Sequence, residues 1–260
     1  MPVVDNPIVI KYNGNNWNQV DNLTVNSRVV NNLPERALRT FKLARADGSI
    51  TTSAEYVTKR VTILGVITAP SRTEAETSLD SLRALLADDE GELDIEVGGL
   101  TRRFIATLNA MATTVRGGYV NFSAEFVCAY PFGSDTSLTE LLASTANTDA
   151  SASFSISVGG SYRAEPLITI TYSSITDGTG ATVDVFNDLD GIGVSITRDW
   201  VSGDVLEIDN YNKTARVNGV DVTRSGRFFY FQPGSRSIGY SDNFTARTMT
   251  IGATYTRRYV

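Results

Sequence analysis

At 260 residues the chain exceeds one small domain, so two domains or one large β domain are the size priors, and two are expected. A net charge of −6 and a pI near 4.8 give a surface that does not attract phosphate backbones, which argues against tight nucleic-acid binding. Histidine is absent and Cys128 is the single cysteine, which excludes Ser-His-Asp and Cys-His catalysis, an intrachain disulfide and small thiolate metal sites.

The first elements are β. A short strand over 8–12 closes at Asn13-Gly14, a hairpin-turn dipeptide, and the asparagine-rich run 15–33, with Val20, Val25, Val29 and Val30, reads as strands joined by loops. Pro34 breaks it. The run 36–45 places Leu38, Phe41 and Leu43 among Arg36, Arg39, Lys42 and Arg45, with Lys59 further on, and ends at Asp47-Gly48. These cations make a solvated strand face or, functionally, an intersubunit contact with the acidic run described next.

The stretch 56–108 carries the clearest signals. A strand over 56–67 places Val57, Val61, Ile63 and Ile67 on one face and Thr58, Arg60 and Thr62 on the other. Ser71 and Glu74 form a capping-box pattern, and Ala75, Leu79, Leu82 and Leu86 fall on one stripe of a helix over about 71–87. Asp88, Asp89 and Glu90 oppose the dipole at a helix C-terminus and stop it. A hairpin follows, 93–97 and 100–108 around Gly98-Gly99, with Leu93, Ile95 and Val97 inward and Asp94 and Glu96 outward. After Gly117-Gly118, the strand 119–128 builds an apolar face from Val120, Phe122, Ala124, Phe126 and Cys128, where the thiol packs as a small apolar group.

Residues 134–153 shift to Ser, Thr, Ala and Asp around Leu138, Leu141 and Leu142, a linker with at most a short helical turn. Beyond it short strands and turns alternate, as in a β-sandwich over 154–260: 203–209 alternates apolar and acidic, Asn210-Tyr211-Asn212 and Asn218-Gly219 turn the chain, and 228–231 leads into Gln232-Pro233-Gly234. The last strand, 248–260, finishes this sandwich or returns to the first domain, and the sequence leaves both open. The fold class is mainly β (α+β), an N-terminal helix-backed β-sandwich or barrel domain over 1–133 plus a C-terminal β-sandwich.

Two blocks in this order resemble the distal tail protein (Dit) family of long non-contractile-tailed bacteriophages. The first runs from the basic strand and Asp47-Gly48 through Lys59-Arg60-Val61-Thr62-Ile63-Leu64-Gly65-Val66-Ile67, the amphipathic helix and Arg102-Arg103-Phe104-Ile105-Ala106. The second is Gly203-Asp204-Val205-Leu206-Glu207-Ile208-Asp209, Val217-Asn218-Gly219 and Pro233-Gly234-Ser235-Arg236-Ser237-Ile238. The resemblance implies a ring-forming first domain and a galectin-like or carbohydrate-module-like second one. It further implies a virion protein, made in the host cytoplasm, that sits at the distal end of a siphophage tail as a homohexameric hub. Its implied partners are the tail-tube protein, the tail-tip hub or tail-associated protein and the tape measure, and DNA passes its channel without specific binding. No catalytic residue, cofactor, metal or membrane insertion is expected.

Two residue groups remain as site candidates. The acidic run Asp88, Asp89, Glu90, Glu92, Asp94 and Glu96 is a solvated face or, in the functional reading, borders the channel and repels DNA. Trp200 is a sandwich-core residue or, in the alternative function of a lectin-like carbohydrate-binding module, a sugar platform. A hydrolase acting through two carboxylates is a third, minor reading.

Overall fold

The computed structural model describes residues 8–29, 34, 36–42, 47, 49–88 and 90–260. Val30, Leu43, Arg45, Gly48 and Asp89, all singled out above, lie outside the described residues. The chain divides into two compact units, Met1–Thr136 with Val260, and Ser137–Tyr259.

In the first unit β1 (Val9–Tyr12) and β2 (Asn15–Asn16) form a hairpin, a 3-10 turn spans Trp17–Gln19, and β3 (Leu23–Val29) follows. β4 (Arg36–Lys42) and β5 (Ser49–Tyr56) pair only with each other. After β6 (Lys59–Thr68) comes α1 (Arg72–Leu85), then β7 (Gly91–Val97), β8 (Leu100–Arg116), β9 (Tyr119–Cys128) and β10 (Gly133–Ser134), which adds to β8 at Arg103. The main sheet is antiparallel in the order β2-β1-β7-β8-β9-β6-β3. β8 pairs with β7 through Leu100–Ala106 and with β9 through Thr107–Arg116, so one long strand serves both halves of the sheet.

α1 forms for the reason its sequence gives: Ser71 is the N-cap, accepting from the Glu74 amide at 3.2 Å, and its hydroxyl meets the Glu74 carboxylate at 3.2 Å. The helix lies against β6 and β9 and buries Ala75, Leu79 and Leu82, with Leu86 buried at its C-cap. Each leucine so buried contributes about 1.5–3 kcal/mol, which a helix of this length needs in order to persist. The core beneath it joins Ile10, Tyr12, Trp17, Ile63, Leu93, Phe104, Phe122 and Phe126.

Two expectations in this unit change. The strand predicted over 56–67 is broken at Val57-Thr58, so Val57 is exposed and Lys59 takes the inward register with Val61, Ile63, Gly65 and Ile67. Lys59 is buried opposite Cys128, 5.5 Å from the Phe104 ring, and does not belong to the basic strand region. Burial lowers its pKa and pushes the Cys128 thiol up to about 12, each partly offset by the other.

In the second unit β11 (Thr139–Asn147) and β12 (Ser151–Val158) are followed by β13 (Leu167–Thr176), β14 (Ala181–Asn187), β15 (Gly193–Arg198), β16 (Val205–Asp209), β17 (Thr214–Val217), β18 (Val220–Asp221), β19 (Ser225–Gly226), β20 (Gly234–Asp242) and β21 (Ala246–Tyr255). They make two antiparallel sheets, β11-β21-β13-β16-β17-β18 and β12-β20-β14-β15-β19. Inward residues of both sheets, among them Phe154, Ile170, Tyr172, Val185, Ile196, Leu206, Tyr240 and Ile251, form one core.

The linker expected over 134–153 is therefore corrected: most of it is strand. Serine disguises the start of β12, where Ser151 and Ser153 occupy the solvent face, while from residue 154 the expected strand is present with Phe154, Ile156 and Val158 pointing in. The leucine cluster is extended rather than helical, with Leu141 buried and Leu138 exposed, and the register of β11 against β21 slips twice. The final long strand, β21, pairs β11 and β13 within this unit.

Candidate functional site

The acidic run lies along one turn and one strand of the first unit, and what fixes it is Asn13. In the left-handed conformation (φ 49°) at the β1–β2 turn, Asn13 donates from Nδ2 to Asp88 Oδ2 at 2.6 Å and accepts at Oδ1 from the Glu92 amide at 2.9 Å. A Cβ on Gly91 would stand 2.0 Å from Asn13 Oδ1, so glycine is required for this approach. Tyr12 anchors the same corner, donating to the Ala106 carbonyl at 3.2 Å and the Asp88 carbonyl at 3.3 Å.

Along β7, Glu92, Asp94 and Glu96 share the face opposite buried Leu93 and Ile95. They do not act as a uniform negative stripe. Arg103, directly across from Asp94 on β8, forks onto it at 2.7 and 2.8 Å and reaches Glu92 at 2.8 Å. Donating to the Asp94 carboxylate raises the Arg103 pKa further, which keeps the guanidinium charged. Glu90 and Glu96 have no cation within ion-pair distance among the described residues, and Asp88 has only the neutral Asn13 amide. The sequence offered Arg103 only as a strand residue; its register partner supplies its meaning.

The basic strand region becomes the β4–β5 ribbon. Every residue of β4 is exposed, including Arg36, Arg39 and Lys42, and Leu38, Phe41 and Ile50 are 60%, 64% and 53% exposed. Phe41 and Ile50 face each other across the ribbon. Its base is tied down by Arg36, which stacks 4.5 Å over the Tyr56 ring, and by Tyr56 packed edge-on against Phe132 at 5.3 Å.

Trp200 is not a platform. It is 3% exposed, donates from Nε1 to the Ala181 carbonyl at 3.0 Å and packs 5.5 Å from Tyr172 and 6.3 Å from Phe244. Arg198 covers it from outside at 5.4 Å. The interior beside it holds a buried polar chain: Tyr172 hydroxyl to Tyr240 hydroxyl (3.3 Å), Tyr240 to Asp242 (2.5 Å), and Asp242 to Arg247 (2.8 Å). Among the described residues no group of three or more His, Cys, Asp or Glu side chains has the arrangement to hold a metal ion.

Residues 159–259, most of the second unit, match the family model described as "Siphovirus-type tail component, C-terminal domain" of the SPP1 Dit type. The crystal structure of phage SPP1 Dit (gp 19.1), called there a paradigm of the hub adsorption apparatus in Gram-positive-infecting phages, superposes with a TM-score of 0.72 at 12% identity, over 97% of this chain and 99% of that one. Two structures of the phage p2 baseplate in its activated conformation, with Ca and with Sr, align over 96% of this chain and 98% of theirs at 9% and 8% identity, with a TM-score of 0.43. No curated protein matches the sequence.

Proposed function

We propose that this tail protein is a hub subunit, six copies of which close a ring at the distal end of the tail tube. The ring joins the tube to the tail-tip and receptor-binding parts and leaves a hole for DNA, while the second unit serves as a docking or spacer module. The observation that carries the reading is the β4–β5 ribbon. A two-stranded ribbon is marginal alone in water, and this one holds three large apolar side chains more than half exposed. Covering Phe41 and Ile50 is worth about 1–2 kcal/mol each. Arg36, Arg39 and Lys42 suit a second copy of the same chain, which presents Glu96 on the outer face of β7 and, at the preceding turn, Asp88 and Glu90. Heterologous contacts of this kind close into cycles.

In the same reading part of the run Asp88, Asp89, Glu90, Glu92, Asp94 and Glu96 borders the hole, where like charge lets DNA slide. Arg103 neutralises the Asp94 end, so the repulsion falls chiefly to Asp88, Glu90 and Glu96. Size-exclusion chromatography with light scattering tests the ring: the expected mass is six times the 28.2 kDa chain. Phe41→Ser with Ile50→Ser should give a folded monomer. A wild-type monomer at high concentration, with or without the tail-tube partner, overturns the reading, and a hexamer map with the acidic turn on the outer rim removes the channel assignment.

A further inference from the structure

The outer face of the β12-β20-β14-β15-β19 sheet carries two adjacent cross-strand rows. One runs Ser153, Gly239, Phe186, Gly193; the next runs Ser151, Ser241, Asp184, Ser195, and continues to Ser225. The first row is an aromatic side chain set between two strand glycines. A Cβ on Gly239 would stand 2.2 Å from Phe186 Cε2, and one on Gly193 would stand 2.4 Å from Phe186 Cβ. The ring therefore lies down over the backbone of β20 instead of standing off the sheet.

Beside it, Phe186, Gly191, Gly193, Asp184, Ser195 and Ser241 line one open concavity. Asp184 is held only by a long contact from the Ser241 hydroxyl, 3.4 Å at Oδ2, and Oδ1 has no hydrogen-bond donor among the described residues. The neighbouring carboxylate, Asp188, accepts from Ser153 at 2.7 Å. The two rows hold carboxylate and hydroxyl groups and no cation.

These groups select a ligand by elimination. An oxyanion meets like charge at Asp184, and neither row supplies a Lys or Arg to offset it. A purely apolar ligand would strip water from Asp184 without replacing it. A neutral polyhydroxyl ring satisfies both rows, because its C–H face covers an aromatic face while its hydroxyls donate to a carboxylate acceptor. We propose that this face is a shallow binding site for a neutral saccharide, stacked on Phe186 and hydrogen-bonded to Asp184, with Ser195 and Ser241 exchanging hydroxyl hydrogen bonds at its rim. The site lies wholly within the second unit, so it stands or falls separately from ring assembly.

The test is saturation-transfer NMR on the full chain with three neutral probes, lactose, maltotriose and chitotriose, and one anionic probe, 3′-sialyllactose. Each is used at about 10 mM, which saturates a site of millimolar Kd. At least one neutral probe should show transfer to its ring C–H protons, and Asp184→Asn should weaken its affinity about tenfold, as expected for loss of a charge-assisted hydrogen bond. Phe186→Leu, which still covers Gly239 but lacks the aromatic face, should abolish the transfer at unchanged melting temperature. Thr171→Ala, on the other sheet, should leave it intact. Absence of transfer from every neutral probe, transfer unaffected by both site variants, or equal transfer from the anionic probe overturns the proposal.

Discussion

Replacing Arg247 by methionine isolates one charge in the second unit. Arg247 and Asp242 form an ion pair at 2.8 Å whose side chains are 7% and 0% exposed. Removing one partner of such a pair leaves the other charge buried and uncompensated, at a cost of about 3–5 kcal/mol. Here Asp242 keeps two donors, the Tyr240 hydroxyl at 2.5 Å and the Phe244 amide at 2.8 Å. The loss should therefore sit near the lower figure, about 3 kcal/mol. At about 3–5 °C per kcal/mol for a unit of this size, its unfolding transition should fall by about 10–15 °C. Differential scanning calorimetry reads this directly, because the first unit has its own core and its transition should stay in place. Adding Asp242→Asn removes the stranded charge, keeps one carbonyl oxygen to accept from the Phe244 amide and offers an amide N–H to the Tyr240 hydroxyl oxygen, so the double variant should recover at least half of the loss. A single variant within about 1 kcal/mol of wild type, or a double variant no better than the single, would refute the claim that the pair acts through buried charge.

Other outcomes follow from the same reasoning. Cys128, its thiol pushed up to about 12 by burial, should resist iodoacetamide at pH 8 in the folded protein and react once guanidinium unfolds it. Tyr172 and Tyr240 are both raised above their usual 10.0, first by burial. Folding thus favours their neutral forms, and their contribution is complete below pH 10 and lost as pH climbs past it. The melting temperature of the second unit should accordingly fall as the pH rises from 10 to 12, and Tyr172→Phe should flatten that slope. Gly65→Ala would place a methyl 2.3 Å from Phe122 Cζ and 2.8 Å from the Thr24 carbonyl oxygen, which should cost the first unit about 1–3 kcal/mol by denaturant titration.

Periodicity was a good guide wherever one face is apolar and the other polar. The helix with its Ser71 cap, and the alternation from Val120 to Cys128, were readable for that reason. It failed where side chains are small. Thr139–Asn147 and the first residues of β12, Ser151–Ser153, looked like a linker because small polar side chains carry the outward half of the strand pattern, and only the paired strands β21 and β20 reveal them. Lys59 was misread because a buried cation breaks the polarity rule that places residues inside or out.

The site showed the same division. The acidic run and the basic strand were visible as charge. That Arg103 cancels part of the run depends on which β8 residue stands across from Asp94, and a sequence does not print that register. Asn13, about 80 residues away from the turn it secures, was legible only as a hairpin residue. The Phe186 row was missed because its meaning lies in glycines on two other strands.

The position of β1 has a consequence during synthesis. Val9–Tyr12 leave the ribosome well before the strand they zip onto, because β7 is made about 80 residues later. At about 5–20 residues per second, Ile10 and Tyr12 wait roughly 4–16 s for their seat. The nascent chain thus carries an unpartnered apolar segment until β7 emerges. Closing that long loop should be the slow, late event in maturation of the first unit.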